Sequence, residues 1–310
     1  MTLDLESRHG DYYRRLNMVL FAAHAGVTLF AFFALPLLLM PIDSAWAWLL
    51  LPIALVGNGY WALLHEAIHG QLHPDQAVNR RLGRIMAWLF GSSFRLLRFG
   101  HLMHHRFNRH RLDRPDVYDA AMTRPWVARL RFFTEALGGL YLIEVLAPLL
   151  YWSRPATIHR LLERIYAGDD QPMPELRRLA MLALGAPRRI RELRQDAAAS
   201  LCLLALALWC WGQDWPLILA FVIGRGSLVS FLDNVYHFRT PVDRPDFAYN
   251  LSLPWPLRYL LLNMNMHRVH HHNMQLPWWR LPQQFVDAGE NYDGKFTLGA
   301  LSQFKGPAPI

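Results

Sequence analysis

The sequence predicts an all-α integral membrane protein. Four transmembrane helices form two hairpins, and cytoplasmic or interfacial helices carry a histidine-rich metal site. Three observations predict it. Of the 310 residues 53% are hydrophobic and only 18% charged, below the roughly 25% charge of a soluble domain. Apolar stretches able to cross about 30 Å of hydrocarbon recur in pairs. The 15 histidines, which would be scattered on an ordinary surface, gather mostly in short groups at one end of those pairs.

Residues 16–40 form the first expected span and residues 46–64 the second, joined by a short link at Pro41, Asp43 and Ser44. The first run is too long for the apolar core of a signal peptide, so it is expected to be an anchor. Residues 197–211 and 215–235 make the second pair, separated by Gly212, Gln213 and Asp214. Residues 197–211 are short for a span, and Trp209, Trp211 and Trp215 are placed to hold its end at the interface. The stretch 132–152 is apolar but interrupted by Glu135, Gly138, Gly139, Glu144 and Pro148.

Charge sets the topology. The formal net charge is +8, and apart from Lys295 and Lys305 every basic residue is arginine. Arginines flank the apolar runs, which reads as membrane topology rather than nucleic-acid binding. Arg14 and Arg15 precede the first span, arginines crowd 80–114, and more crowd 154–194. Loops rich in arginine stay cytoplasmic, so all three regions share a side. The stretch 132–152 is therefore expected to be interfacial or re-entrant, and 153–196 a variable cytoplasmic segment. The whole chain reads as one membrane-embedded domain, with its site on the cytoplasmic side of a bacterial inner membrane.

The two cysteines, Cys202 and Cys210, lie in an apolar run and form no C-x-x-C pair. A disulfide scaffold, a thiolate zinc site and an iron–sulfur cluster are excluded. Imidazole is the ligand this chain has in quantity. His65 and His69 stand four apart, on one face of a helix at the end of the second span. His101, His104 and His105, and likewise His267, His270 and His271, are spaced i, i+3, i+4 and are expected as two converging three-ligand sets. Eight imidazoles exceed what one ion accepts, so two metal ions are expected. His237, just past the fourth span, is a ninth candidate ligand. Asp233 or Asn234 stands beside it, near the metal directly or through water, and the choice is open.

Glu66 either orients a ligand histidine or faces solvent. Asp113-Arg114-Pro115-Asp116 and Asp243-Arg244-Pro245-Asp246 read first as turns, with Asp116 the alternative acceptor for the free N–H of a ligand imidazole. His9, His24 and His159 are isolated, and His73, His110 and His272 only adjoin the groups.

The order and membrane placement of H-x-x-x-H, H-x-x-H-H and H-x-x-H-H resemble the membrane fatty acid desaturase superfamily, the histidine-box di-iron enzymes, from about Trp61 to Pro282. The resemblance implies iron ligands at His65, His69, His101, His104, His105, His267, His270 and His271, with His237 the extra ligand before the last box. It implies two iron ions cycling between Fe2+ and Fe3+, dioxygen as co-substrate, and a lipid or hydrocarbon substrate oxidised at a C–H bond. No catalytic residue is implied beyond the metal ligands. A fatty acyl desaturase is the first expectation. Leu276-Pro277-Trp278-Trp279-Arg280-Leu281-Pro282 also looks like the corresponding stretch of carotenoid ketolases, so a carotenoid ketolase or hydroxylase is an alternative. An alkane hydroxylase and a decarboxylase forming terminal alkenes, of the same superfamily, are others. With no flavin or heme segment, an external ferredoxin- or cytochrome-type electron donor is implied. A metal transporter or sensor is the non-enzymatic reading, although transport ligands belong near the bilayer midplane.

Overall fold

The computed structural model describes residues 2–310, which are helical in the main. Helix α1 (Thr2–Leu29) runs on to Leu39 in wider turns around Pro36. Proline lacks an N–H and crowds the preceding turn, and the Met40 N–H correspondingly reaches back to the Leu35 carbonyl. Asp43 opens the return arm by accepting the Ala45 N–H at 2.8 Å. This arm contains α2 (Leu50–Leu55) and α3 (Gly57–His69), and bends by 44° between Ser44–Leu55 and Gly57–His69.

Gly70, at φ 83°, ends α3 as a left-handed cap. Asp75 then caps α4 (Gln76–Phe90), and after Gly91, at φ 93°, the chain enters α5 (Phe94–Phe107), the helix of the second histidine group. The tip of this α4–α5 hairpin is buried, so the last carbonyls of α4 need donors. Tyr60 Oη donates to the Met86 carbonyl, Tyr141 Oη to that of Phe90 at 2.6 Å, and the Arg225 guanidinium to that of Leu89 at 2.8 Å.

The next apolar stretch holds α6 (Pro125–Thr134) and α7 (Leu140–Leu150) and is broken at Gly138, φ 109°. The arms Pro125–Gly139 and Tyr141–Leu150 meet at 76°. Phe132 packs on Phe238 beside His237, while Tyr151 packs with Phe99 of α5, so both ends of this V lie toward the histidines. Between them Tyr141 leans so closely on Gly226 that a Cβ there would stand 2.0 Å from its ring.

Residues 153–196 fold as α8 (Pro155–Ile165), α9 (Met173–Ala180) and the first turns of α10 (Pro187–Trp211). Ile158, Leu162, Leu184, Ile190 and Leu193 join Phe99 and Tyr151 in a second apolar core. Gly212, at φ 53° and ψ −120°, reverses the chain into α11 (Trp215–Asp233). Both arms come back beside the α4–α5 tip, α10 through Ser200 on the Ser92 carbonyl and α11 through Arg225. Asp196 ties α4, α5 and α10 together by accepting from Arg84, Trp88 Nε1 and Ser93 Oγ.

The remaining elements are α12 (Trp255–Leu260), α13 (His267–His272, the third histidine group), α14 (Leu281–Asp287) and α15 (Phe296–Ser302). Two parallel strand pairs, Val117–Tyr118 with Ala308–Pro309 and Leu251–Ser252 with Gly294–Lys295, staple the C-terminal segment to the histidine end.

The long helices differ from the sequence-derived spans at their ends. The first apolar helix covers Gly10–Leu39 rather than 16–40, and the second span carries on past 64 to His69 after its bend. Helix α10 begins ten residues before the expected 197, since Arg188 and Arg189 pair with Glu192 and extend it beyond its apolar part. Among the described residues, two helices qualify by length and composition as membrane spans, or up to four if each bent pair counts as one.

Arg225 is the one arginine sequence reading left inside an expected span, and it is 2% exposed. Its guanidinium lies over Tyr60, Phe90 and Phe221 at 5.3–5.4 Å, and its stem fills the space that a Cβ on Gly57 would need. Arg225→Met removes the charged donor from a buried helix end, which costs about 2 kcal/mol. Thermal unfolding in detergent should show a lowered midpoint; an unchanged midpoint would contradict this role.

Candidate metal centre

On a helix, positions i and i+4 lie about 40° apart in projection, while i+3 lies about 60° to the other side. A group spaced i, i+3, i+4 therefore splits. His101 and His105 of α5 turn toward His65, His69 and His270, whereas His104 turns away toward His237, His267 and His271. Helix α13 repeats this with the shares exchanged, sending His267 and His271 to the second cluster and His270 to the first. The nine candidate histidines thus form clusters of five and four, each with ligand atoms within 4.8 Å of one another. This corrects the expectation of two converging three-ligand sets: each group serves both clusters. The clusters abut, with the His105 and His271 rings 4.2 Å apart.

The ring nitrogens converge. His69 and His101 Nε2 are 2.9 Å apart, His101 and His105 Nε2 3.0 Å, and His105 and His270 Nε2 3.1 Å. In the other cluster His237 Nε2 stands 3.1 Å from both His104 Nε2 and His267 Nε2. A ring nitrogen is either donor or acceptor, so His101 and His105, each facing two others, cannot be satisfied by a hydrogen-bond chain. A cation satisfies all of them: with metal–imidazole bonds of about 2.1 Å, ligand atoms at a right angle lie about 3.0 Å apart. His65 Nε2 and His271 Nε2 are buried with no hydrogen-bond partner among the described residues, and both face their clusters. The residues fit two metal ions.

Burial also keeps the donors neutral. For His101, His237, His267, His270 and His271, removal from water and then the neighbouring imidazoles hold the pKa well below the ordinary value. Burial, with His104 and His69, takes His105 down to about 2. His104 is the exception. Burial disfavours its charged form, but Asp113, by charge and hydrogen bond, and Asp233 outweigh this and raise its pKa. His104 Nδ1 lies 2.7 Å from Asp113 Oδ2, leaving Nε2 to face the cluster.

The neighbouring candidates take particular places. Glu66 is buried rather than facing solvent and accepts the Trp278 N–H at 3.2 Å, and among the described residues no hydrogen bond links it to a ligand ring. Its partner belongs to the tryptophan pair after the third group. Trp278 Nε1 donates to Asn17 Oδ1 at 3.0 Å and Trp279 stacks on Tyr13, which docks that segment on α1. Asn234 turns away to Gln303 at 2.6 Å, leaving Asp233 as the member of that pair on the side of His104. Asp116 accepts from both Arg109 terminal nitrogens, at 2.8 and 3.0 Å, instead of from an imidazole. The aspartate that meets a ring is Asp113, at the other end of the same turn; the motif was visible, but sequence alone did not say which carboxylate pointed inward. Asn17, a lone amide within an apolar run, was the visible signal for the tryptophan dock.

His24, His73, His110, His159 and His272 lie outside both clusters. His159 pairs with the Gly185 carbonyl at 2.8 Å, and His272 is half exposed, 3.7 Å from Asp246.

The family model for fatty acid desaturases matches residues 43–296. The chain belongs to the fatty acid desaturase family. No curated protein matches it. The match takes in all nine clustered histidines and leaves out all of α1 and the residues after 296.

Asp113→Asn should weaken metal retention by about 10- to 100-fold, because the His104 ring loses the carboxylate that fixes its tautomer and orientation. Metal analysis after dialysis against graded chelator measures this, and retention equal to the wild type would rule the role out.

Proposed function

We propose that this desaturase-family chain is an oxygen-dependent oxidoreductase that holds two iron ions and dehydrogenates a fatty acyl chain. The observation that carries the reading is the pair of abutting all-histidine clusters, since imidazole suits iron among the borderline metals and the family is one of desaturases. His65, His69, His101, His105 and His270 would hold one ion, and His104, His237, His267 and His271 the other, with Asp113 orienting His104 and Asp233 close by. Bound iron would supply the activation of dioxygen needed to attack an unactivated C–H bond.

The protein's own part is to aim ligands, exclude water and seat the chain. A narrow crevice lined by Trp61, Leu232, Leu261, Met264 and Phe296 adjoins the second cluster through Asp233 and Tyr236, and the Tyr236 ring stacks on His267. Apolar walls at that point favour a hydrocarbon and keep the site dry. Loss of two hydrogens from the acyl chain, with two electrons and two protons from outside, reduces dioxygen to two waters. The electrons come from a separate ferredoxin- or cytochrome-type donor, for which the arginine-rich face of α4, α5 and α10 offers a surface of opposite charge. Because arginines flank the spans on the histidine side, we place that side in the cytoplasm, at a bacterial inner membrane.

Lipid and metal analysis of expressing cells tests this. Wild-type chain is expected to retain about two irons and to introduce a new double bond into acyl chains. His270→Ala, which takes a ligand from a cluster whose parts act together, should abolish turnover and lower iron content. Unchanged acyl chains with oxygenated carotenoids would replace the reading by a ketolase or hydroxylase, and oxidised alkanes or terminal alkenes by those activities. Fast metal exchange without oxygen uptake would point to a transporter or sensor.

A further inference from the structure

His237 is the member of its cluster that stands in a turn rather than on a helix. His104 lies within the 14-residue helix α5 and has Asp113 on its far nitrogen, and His267 and His271 lie on one short helix. His237 stands past the end of α11, after the tight turn Asn234–Tyr236, and its Nδ1, like that of His267, is buried without a hydrogen-bond partner among the described residues. A ligand imidazole is normally aimed through that second nitrogen. Here the ring has no such support, so its aim depends on its backbone.

That backbone is gripped from outside its own element. The Arg109 guanidinium donates to the His237 carbonyl at 3.2 Å while engaging both carboxylate oxygens of Asp116. Thr240 Oγ1 donates to the same carbonyl at 3.0 Å, and the Arg239 N–H donates to Asp116. Arg109 and Asp116 are 2% and 1% exposed. Arg109 and Arg239 both adopt the left-handed backbone, at φ 68° and 58°, a conformation uncommon for residues with a side chain. Arg109 by its guanidinium and Arg239 by its main-chain N–H thus meet on one carboxylate. The C-terminal tail closes the arrangement: the Ala308 N–H meets the Asp116 carbonyl, and Arg239 Nη2 meets the Gly306 carbonyl at 2.7 Å.

We infer that the buried Arg109–Asp116 pair is a positioning device that aims His237 into the four-histidine cluster by holding its main chain. This rests on the two-ion reading above. Asp116 thereby acts on a ligand through Arg109 and a peptide carbonyl, without touching an imidazole. Among the described residues, no hydrogen bond or ion pair joins the five-histidine cluster to the pair.

The test is the selectivity of metal loss. Wild type, Asp116→Asn, Arg109→Lys and the double variant Arg109→Met/Asp116→Leu are loaded with iron, then titrated with chelator, and tight iron per chain is counted. Cobalt(II) loading gives a ligand-field absorption readout independent of turnover. The double variant guards against misfolding, because it removes both charges and leaves neither buried alone. The expected result is about two ions in wild type and about one in each variant, with the weakened ion bound 10- to 100-fold less tightly and the other unchanged. Variants that hold both ions as wild type does, or that lose both in parallel, overturn the inference, the latter by showing a merely structural pair. A wild-type chain that holds fewer than two ions overturns the two-ion reading itself and the inference with it.

Discussion

Nine imidazole nitrogens aimed into two small buried spaces are the constraint on which the structure depends. Left to themselves, these lone pairs and N–H groups face one another at about 3 Å, and an unmatched buried polar atom is costly. The surroundings must therefore hold the rings rigidly. The Trp278–Trp279 dock on α1, the clamp of Arg268 by Glu290 and Asp293, and the pairing of Leu251–Ser252 with Gly294–Lys295 all serve the element carrying the third group. That group lies on a six-residue helix, too short to be stable alone, which is why so much of the C-terminal segment is devoted to fixing it.

A second demand comes from placing a helical hairpin among apolar helices. The α4–α5 tip carries carbonyls that water does not reach, and the fold supplies Tyr60, Tyr141 and Arg225 to meet them. Such groups sit inside apolar stretches where lipid would not tolerate them. They are accommodated because they face protein: Arg225 is enclosed by three aromatic rings and the Thr28 hydroxyl. Polar residues in a span thus need not be ligands or substrate contacts. Asp196 and Asn17, each joining separate segments of chain, make the same point.

Periodicity and local composition made much of this legible. The helical class, the apolar pairs, the break near Gly138 and all nine clustered histidines can be found by reading along the chain, because each leaves a local mark such as a run, a glycine or a spacing. What could not be read depends on which way a side chain turns after a bend. Asp113 and Asp116 are indistinguishable in sequence, three apart in one turn, yet one meets His104 and the other Arg109. Glu66, between two ligand candidates, faces a peptide N–H some 200 residues away. Helices also run past the apolar stretches that hydropathy detects: Arg188 and Arg189 pair with Glu192 on turns of α10 that precede its apolar part.

The unequal division of the histidines follows from the same helical arithmetic and has a chemical consequence. His65 and His69, four apart, must share a cluster, whereas an i, i+3, i+4 group must straddle two. Helix α5 sends its close pair to the first cluster and α13 sends its close pair to the second, each contributing its odd member to the other. Both helices therefore contribute histidines to both clusters, so the spacing between the clusters is fixed by the same two helices. Metals held there would sit at a set separation, suited to chemistry that needs two metals together. Each cluster also keeps members of its own, His65 and His69 in the first and His237 in the second, so one can be loosened while the shared helices stay in place.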